Sequence, residues 1–113
     1  MKKPLLGDEH PSVATSLNNL AVLYDSQGRY SDAEPLYIEA LAMKKPLLGD
    51  EHPSVASSLN NLALLYKSQG RYSEAEPLYI EALAIAQQRL GANHPNTITI
   101  RENLEDLQRN HQP

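Results

Sequence analysis

The sequence predicts an all-α protein: an α-solenoid of stacked helix-turn-helix hairpins, about two full repeats and a closing helix. Three observations lead there. Residues 1–42 run a second time as residues 43–84, and the copies differ only at Thr15/Ser57, Val22/Leu64, Asp25/Lys67 and Asp32/Glu74. Self-similarity at a period of about 20–50 residues marks an array in which each unit packs only on its neighbours. Within each copy, apolar residues recur twice at helical spacing, on either side of a glycine. A third copy begins at Ile85, keeps Leu90, Gly91, His94 and Pro95, and loses the pattern after one helix.

Residues 1–10, MKKPLLGDEH, repeat as residues 43–52, where they join one unit to the next. At the N-terminus the same stretch is a linker with no unit in front of it, and it is expected to fray. Repeat 1 spans residues 11–45. Its first helix is expected over Pro11–Gln27, with proline in the first turn, where its missing N–H costs nothing. Val13, Leu17, Leu20, Ala21 and Tyr24 fall on one face. Gly28 stops the helix and Arg29-Tyr30 turns the chain. Ser31-Asp32-Ala33-Glu34 has the S-x-x-E form of a capping box for the second helix. Ala33, Leu36, Tyr37, Ala40 and Leu41 make that helix's apolar face. Pro46 would break an internal bond to Ala42, so the helix is expected to end or kink near Lys45.

Repeat 2 spans residues 53–90, with helices near Pro53–Gln69 and Glu74–Leu90. Gln88 stands where repeat 1 has Pro46, so this second helix should run unbroken to about Leu90. Residues 95–109 should form one more helix. At the 42-residue offset, Leu59, Leu62, Ala63 and Tyr66 become Arg101, Leu104, Glu105 and Gln108. Three of those four core positions are polar, while Ile100, Leu104 and Leu107 stay apolar. One apolar face and one polar face suit a capping helix. Repeat 1 carries no comparable edit, which leads to the expectation of further repeats ahead of it.

The chain has 113 residues, a formal net charge of −4 and scattered Lys and Arg, which sets aside a nucleic-acid footprint. No apolar run approaches the roughly 18 residues of a membrane span. Cysteine is absent, so disulfides, thiol nucleophiles and Cys-type zinc sites are out, and a cytoplasmic location is expected. His10, His52 and His94 recur at the repeat period, about 10 Å apart along a solenoid. That is too far to share a zinc ion, whose ligands sit about 2 Å away. A cap or turn role before each proline is the reading. No phosphate loop, HExxH, GxSxG or nucleophile–base pair is present. No enzyme activity, cofactor or metal is expected.

Leu17, Leu20, Ala21, Tyr24, Gly28, Tyr30, Ala33, Tyr37 and Ala40 resemble the small-and-large pattern of a tetratricopeptide repeat (TPR). Leu59, Leu62, Ala63, Tyr66, Gly70, Tyr72, Ala75, Tyr79 and Ala82 repeat it. The 42-residue unit, with LG-x-x-HP and LNNLA-x-LY, is similar to the kinesin light chain type, also found in bacterial multi-repeat proteins. The resemblance implies a right-handed superhelix whose first helices line a concave groove for a protein or peptide partner. Pro4, Pro46 and the polar third helix depart from the family.

On the first helix, positions 15, 18, 22 and 25 fall together at roughly 100° per residue, away from the core face. The candidate groove is therefore Thr15, Asn18, Val22 and Asp25, then Ser57, Asn60, Leu64 and Lys67, then Thr99, Glu102, Asp106 and Arg109. Three of the four differences between the copies fall on this stripe. Asn18 and Asn60 have both amide groups with which to bond an extended peptide backbone. Asn19 and Asn61, at the edge of the face, either do the same or tie neighbouring helices together. Lys67 and Arg109 could take an acidic group; Asp25, Glu102 and Asp106 make the groove mixed in sign. The leading expectation is a protein-interaction scaffold that holds a partner segment in this groove. The alternative is a self-assembling array, a domain-swapped or end-to-end oligomer, with a homodimer formed through the N-terminal repeat and its exposed Val13, Leu23 and Leu5-Leu6.

Overall fold

The computed structural model describes residues 11–49 and 51–110. The linker at residues 1–10, with His10 and Leu5-Leu6, and the tail residue His111 lie outside the described residues. Within them are five helices and no strand: α1 (Pro11–Ser26), α2 (Tyr30–Leu48), α3 (Pro53–Ser68), α4 (Tyr72–Leu90) and α5 (Pro95–Asn110). Each packs on the next in chain order, and the body measures 57 × 33 × 19 Å. Its long axis is three times its short one, the proportion of a stacked array.

The same local chemistry recurs at equivalent helix ends among the described residues. Pro53 opens α3, and the His52 side chain caps it, Nδ1 accepting from the Ser54 N–H at 3.0 Å. The His94 Nδ1 accepts in the same way from Asn96 N–H at the head of α5, also at 3.0 Å. These two histidines thus take the cap role expected of them. At the hairpin turns, Gly28 and Gly70 have φ of 77° and 78°. That left-handed conformation is open to glycine and strained for other residues. It lets the Arg29 and Arg71 N–H groups reach back to the Tyr24 and Tyr66 carbonyls, both at 2.8 Å.

Two expectations are corrected. The S-x-x-E box does not cap α2. The helix begins at Tyr30, Arg29 is its N-cap without a side-chain bond, and Glu34 accepts instead from Arg71 and Tyr66 of the next repeat. Nor does the helix end near Lys45; α2 continues through Pro46 to Leu48 and matches α4 at 19 residues. Pro46 sits in the last turn, so the backbone forgoes one bond near a helix end that would fray in any case. Gly49 N–H then closes the helix on the Lys45 carbonyl at 2.9 Å.

The core forms two apolar groups along the stack. One joins Ala21, Ala33, Tyr37, Leu62, Leu65, Tyr79 and Leu107; the other joins Val55, Leu59, Ala82, Ile85 and Ile100. Alanine at 21, 33, 40, 63, 75 and 82 is fully buried and lets helix backbones approach closely. Ile100, Leu104 and Leu107 are buried against the preceding helices. Thr97, legible in the sequence only as part of that helix, is buried with them, its hydroxyl donating to the Ala86 carbonyl at 3.3 Å.

Candidate functional site

The first helices α1, α3 and α5 carry the candidate stripe. On α1, Thr15, Asn19 and Val22 are exposed and Asn18 and Asp25 half-buried; on α3, Ser57 is exposed and Asn60, Asn61, Leu64 and Lys67 are half-buried; on α5, Thr99, Glu102 and Arg109 are exposed and Asp106 half-buried. Between α3 and α5 lies a cleft of about 120 Å³ lined by Ser57, Asn60, Asn61, Asn96, Thr99 and Ile100. Small-molecule sites run to roughly 300–1,000 Å³, so this cleft suits a single side chain or a stretch of backbone. Its rim is polar and uncharged, with Ile100 as the apolar floor.

Several stripe residues bond to one another or to the core. Lys67 Nζ pairs with Asp106 across neighbouring first helices. That ammonium holds the Asp106 carboxyl below its ordinary range, with Arg109 a weaker contributor. Asp25 instead accepts from the Tyr37 hydroxyl at 3.2 Å, within its own hairpin. Burial, with the Asp25 charge behind it, raises the Tyr37 pKa well above that of a free phenol. Asn103 Nδ2 donates to Asn60 Oδ1 at 3.1 Å and ties α5 to α3. Asn18 Oδ1 is buried without a hydrogen-bond partner among the described residues. Among the described residues Thr15, Asn19 and Glu102 make no side-chain bond at all.

Sequence reasoning missed Asn96 and Asn103. The 42-residue offset pairs Asn103 with Asn61, so the signal was present in the same asparagine column. It also missed Lys44, which lies on the apolar face of α2 one turn beyond Ala40 and Leu41. It is 8 % exposed and donates to Ser58 Oγ at 3.0 Å. Burial lowers its pKa.

One electrostatic link between the repeats is a three-residue seat. The Arg71 guanidinium lies 4.2 Å from the centroid of the Tyr66 ring. Arg71 Nη1 and the Tyr66 hydroxyl donate to Glu34 at 2.8 Å and 3.1 Å. Arg71 also grips Glu74 through Nη2 at 2.7 Å. Those two carboxylates push the guanidinium pKa further up, Glu74 most.

Among the described residues, no group of three or more His, Asp or Glu is placed to hold a metal ion. No helix among them is long and apolar enough to cross a membrane.

Two consecutive segments, residues 13–54 and 55–96, match the tetratricopeptide repeat family model. The chain belongs to the tetratricopeptide repeat family. Solved structures agree on the fold. The chain is similar to BtubC (BKLC) from P. vanneervenii, with 31 % identity and a TM-score of 0.83 over 90 % of this chain and 41 % of that one. It is also similar to a kinesin light chain-like protein of Podosopora anserina with nearly identical TPR-like repeats: 31 % identity, TM-score 0.84, 92 % of this chain and 49 % of that one. A point variant of that fungal protein matches at 30 % identity and TM-score 0.79, over 90 % and 48 %. This TPR chain therefore spans less than half the length of these structures. No curated protein matches it. Tetratricopeptide repeats are in general protein-interaction and scaffold modules without enzymatic activity.

Proposed function

We propose that this TPR chain is a cytoplasmic interaction module that takes an extended segment of a partner protein along α1, α3 and α5. The observation that carries the reading is the cleft between α3 and α5. Ser57, Asn60, Asn61 and Thr99 of the stripe line it, together with Asn96 and Ile100. An extended backbone offers alternating N–H and C=O groups, and asparagine amides answer both. Asn60 spends its oxygen on Asn103, so its amide nitrogen is the group it offers; Asn61 offers both. Lys67 is neutralised by Asp106, which leaves shape and amide bonding as the basis of recognition at the cleft.

The test selects binders from a displayed random peptide library on the immobilised chain. A selected peptide is then titrated into isotope-labelled protein. Amide shifts should cluster at residues 57, 60, 61, 96 and 99. Asn61→Ala should weaken binding about tenfold, the size of one well-made bond, and Ser57→Trp should block it. Shifts centred on Ile38 and Ile80 of the second helices, or affinity indifferent to both substitutions, would sink the reading.

A further inference from the structure

Five neutral polar side chains line the cleft between α3 and α5, and most of their hydrogen-bonding capacity is uncommitted. Asn60 Oδ1 accepts from Asn103 Nδ2 at 3.1 Å, which leaves the Asn60 Nδ2 hydrogens as what that side chain offers. The side chains of Ser57, Asn61, Asn96 and Thr99 make no hydrogen bond among the described residues. The buried Ile100 is the apolar surface in the lining. At the 42-residue offset the same positions between α1 and α3 read Thr15, Asn18, Asn19, Ser54, Ser57 and Ser58. Serine there replaces both Asn96 and Ile100, and Ser58 is buried beneath Lys44. The combination of several amides with an apolar floor therefore belongs to α3 and α5.

Each class of side chain meets this lining differently. An aliphatic or aromatic group would cover Ile100 but strand the Asn60 and Asn61 amides, and an unmet polar group costs more than an ordinary bond returns. Lysine and arginine bring only donors, and the free group of Asn60 is itself a donor. A carboxylate brings only acceptors and a charge. No cationic side chain lines the cleft, and the exposed Glu102 lies about one turn on from Thr99 along the same stripe. Lys67 is already paired with Asp106. A primary carboxamide carries no charge and has both a carbonyl acceptor and N–H donors. In glutamine it stands on methylenes that can lie over Ile100.

On the footing that a partner segment runs along α1, α3 and α5, we propose that this cleft selects the side-chain carboxamide of a glutamine in that segment. The glutamine carbonyl accepts from Asn60 Nδ2, its N–H group donates to Asn61 Oδ1, and its methylenes cover Ile100. Asn103 is a positioning residue here: by holding Asn60 Oδ1 it fixes which end of the Asn60 amide faces the cleft. The segment is thus read by one neutral side chain in addition to its backbone.

The test takes a peptide selected on the immobilised chain, with its contact surface located by amide shifts in the labelled protein, and measures affinity by calorimetry. The peptide should carry a glutamine at the position that contacts residues 57, 60, 61, 96 and 99. Replacing that glutamine by glutamate or by methionine should each weaken binding about tenfold, the size of one well-made bond. Asparagine, which keeps the carboxamide, should be the mildest replacement. Asn60→Asp keeps an oxygen for Asn103 but turns the free donor into an acceptor. It should weaken the glutamine peptide and favour the same peptide with lysine in place of glutamine, a reversal that simple loss of packing cannot produce. A peptide that contacts the cleft without glutamine or asparagine there would overturn this inference and leave the groove standing. So would tolerance of methionine, or an unchanged ranking of the peptides on Asn60→Asp. Shifts confined to the second helices would overturn the groove and this subsite together.

Discussion

The Tyr37 hydroxyl donates to Asp25 across 3.2 Å, and the second hairpin lacks this bond. Its Tyr79 hydroxyl is buried with no partner among the described residues, because position 67 holds lysine where position 25 holds aspartate. Lys67 reaches forward to Asp106 on α5 instead. One substitution thus replaces a bond inside a hairpin by a link to α5. A buried hydroxyl left unsatisfied forfeits its hydration without return. Tyr79→Phe should therefore leave stability unchanged or raise it by up to about 1 kcal/mol, and Tyr37→Phe should lower it by about 1 kcal/mol. Urea unfolding of the two variants measures the contrast. Equal losses would mean that the Tyr79 hydroxyl has found a partner.

The same phenols set an alkaline limit. Burial, reinforced by Asp106, pushes the Tyr79 pKa up to about 12, and burial and nearby carboxylates also raise Tyr37 and Tyr66. An unfolded phenol titrates near pH 10. The native state therefore keeps protons that the unfolded state releases, and stability falls as pH rises from about 10 towards about 12. Below pH 10 these groups contribute no slope. Tm measured across this window should drop steadily, and Tyr79→Phe should make the drop shallower. An unchanged slope in that variant would remove Tyr79 from the account.

The array depends on the Glu34–Arg71–Tyr66 seat, since it joins one hairpin to the next by charge as well as by packing. Glu34→Ala should lower Tm by several degrees. Arg71→Ala in that background should cost less than it does alone, because the two act through one contact. Additive losses would show that they act separately. The matching change Glu76→Ala removes only the bond from Gln108, exposed on α5, and should have a smaller effect.

Glu34 and Asn103 mislead a sequence reading for one physical reason: their partners lie about a repeat away. Helix positions follow from local periodicity, so Ala33, Tyr37, Ala40 and their twins are legible as core. S-x-x-E is a local pattern and points to a cap at Glu34, yet Arg71 stands 37 residues on and outcompetes the helix end. Asn103 bonds Asn60 at a separation of 43 residues, a contact that a single helical wheel does not contain. On the candidate stripe, Asp25 and Lys67 have the pattern of residues edited for contact with a ligand. Both hold structural bonds, so exchanging them would disturb Tyr37 and Asp106 as well as the groove. The cleft itself arises only when two first helices stand side by side.

Lys44 supplies the last prediction. Its Nζ is enclosed between α2 and α3 with Ser58 Oγ as its hydrogen-bond acceptor at 3.0 Å, and no salt bridge among the described residues includes it. Desolvation therefore lowers its pKa below that of an exposed lysine. The repeat equivalent, Ala86, is fully buried and apolar, so the fold does not need a charge at this position. An enclosed ammonium with one neutral partner is costly, and an apolar side chain of similar length removes that cost. Lys44→Met should raise stability at neutral pH by about 1 kcal/mol. The sign of the pH dependence is fixed. Between the lowered native pKa and the unfolded value near 10.4, the unfolded state binds more protons, so wild-type stability from this group rises with pH. The advantage of Lys44→Met should accordingly be largest at neutral pH and shrink as pH approaches 10. Urea unfolding at pH 7 and pH 9.5 reads both values. A constant advantage at the two pH values would show that Lys44 stays fully charged throughout, and a loss at pH 7 would show that the Ser58 bond outweighs the burial of the ammonium.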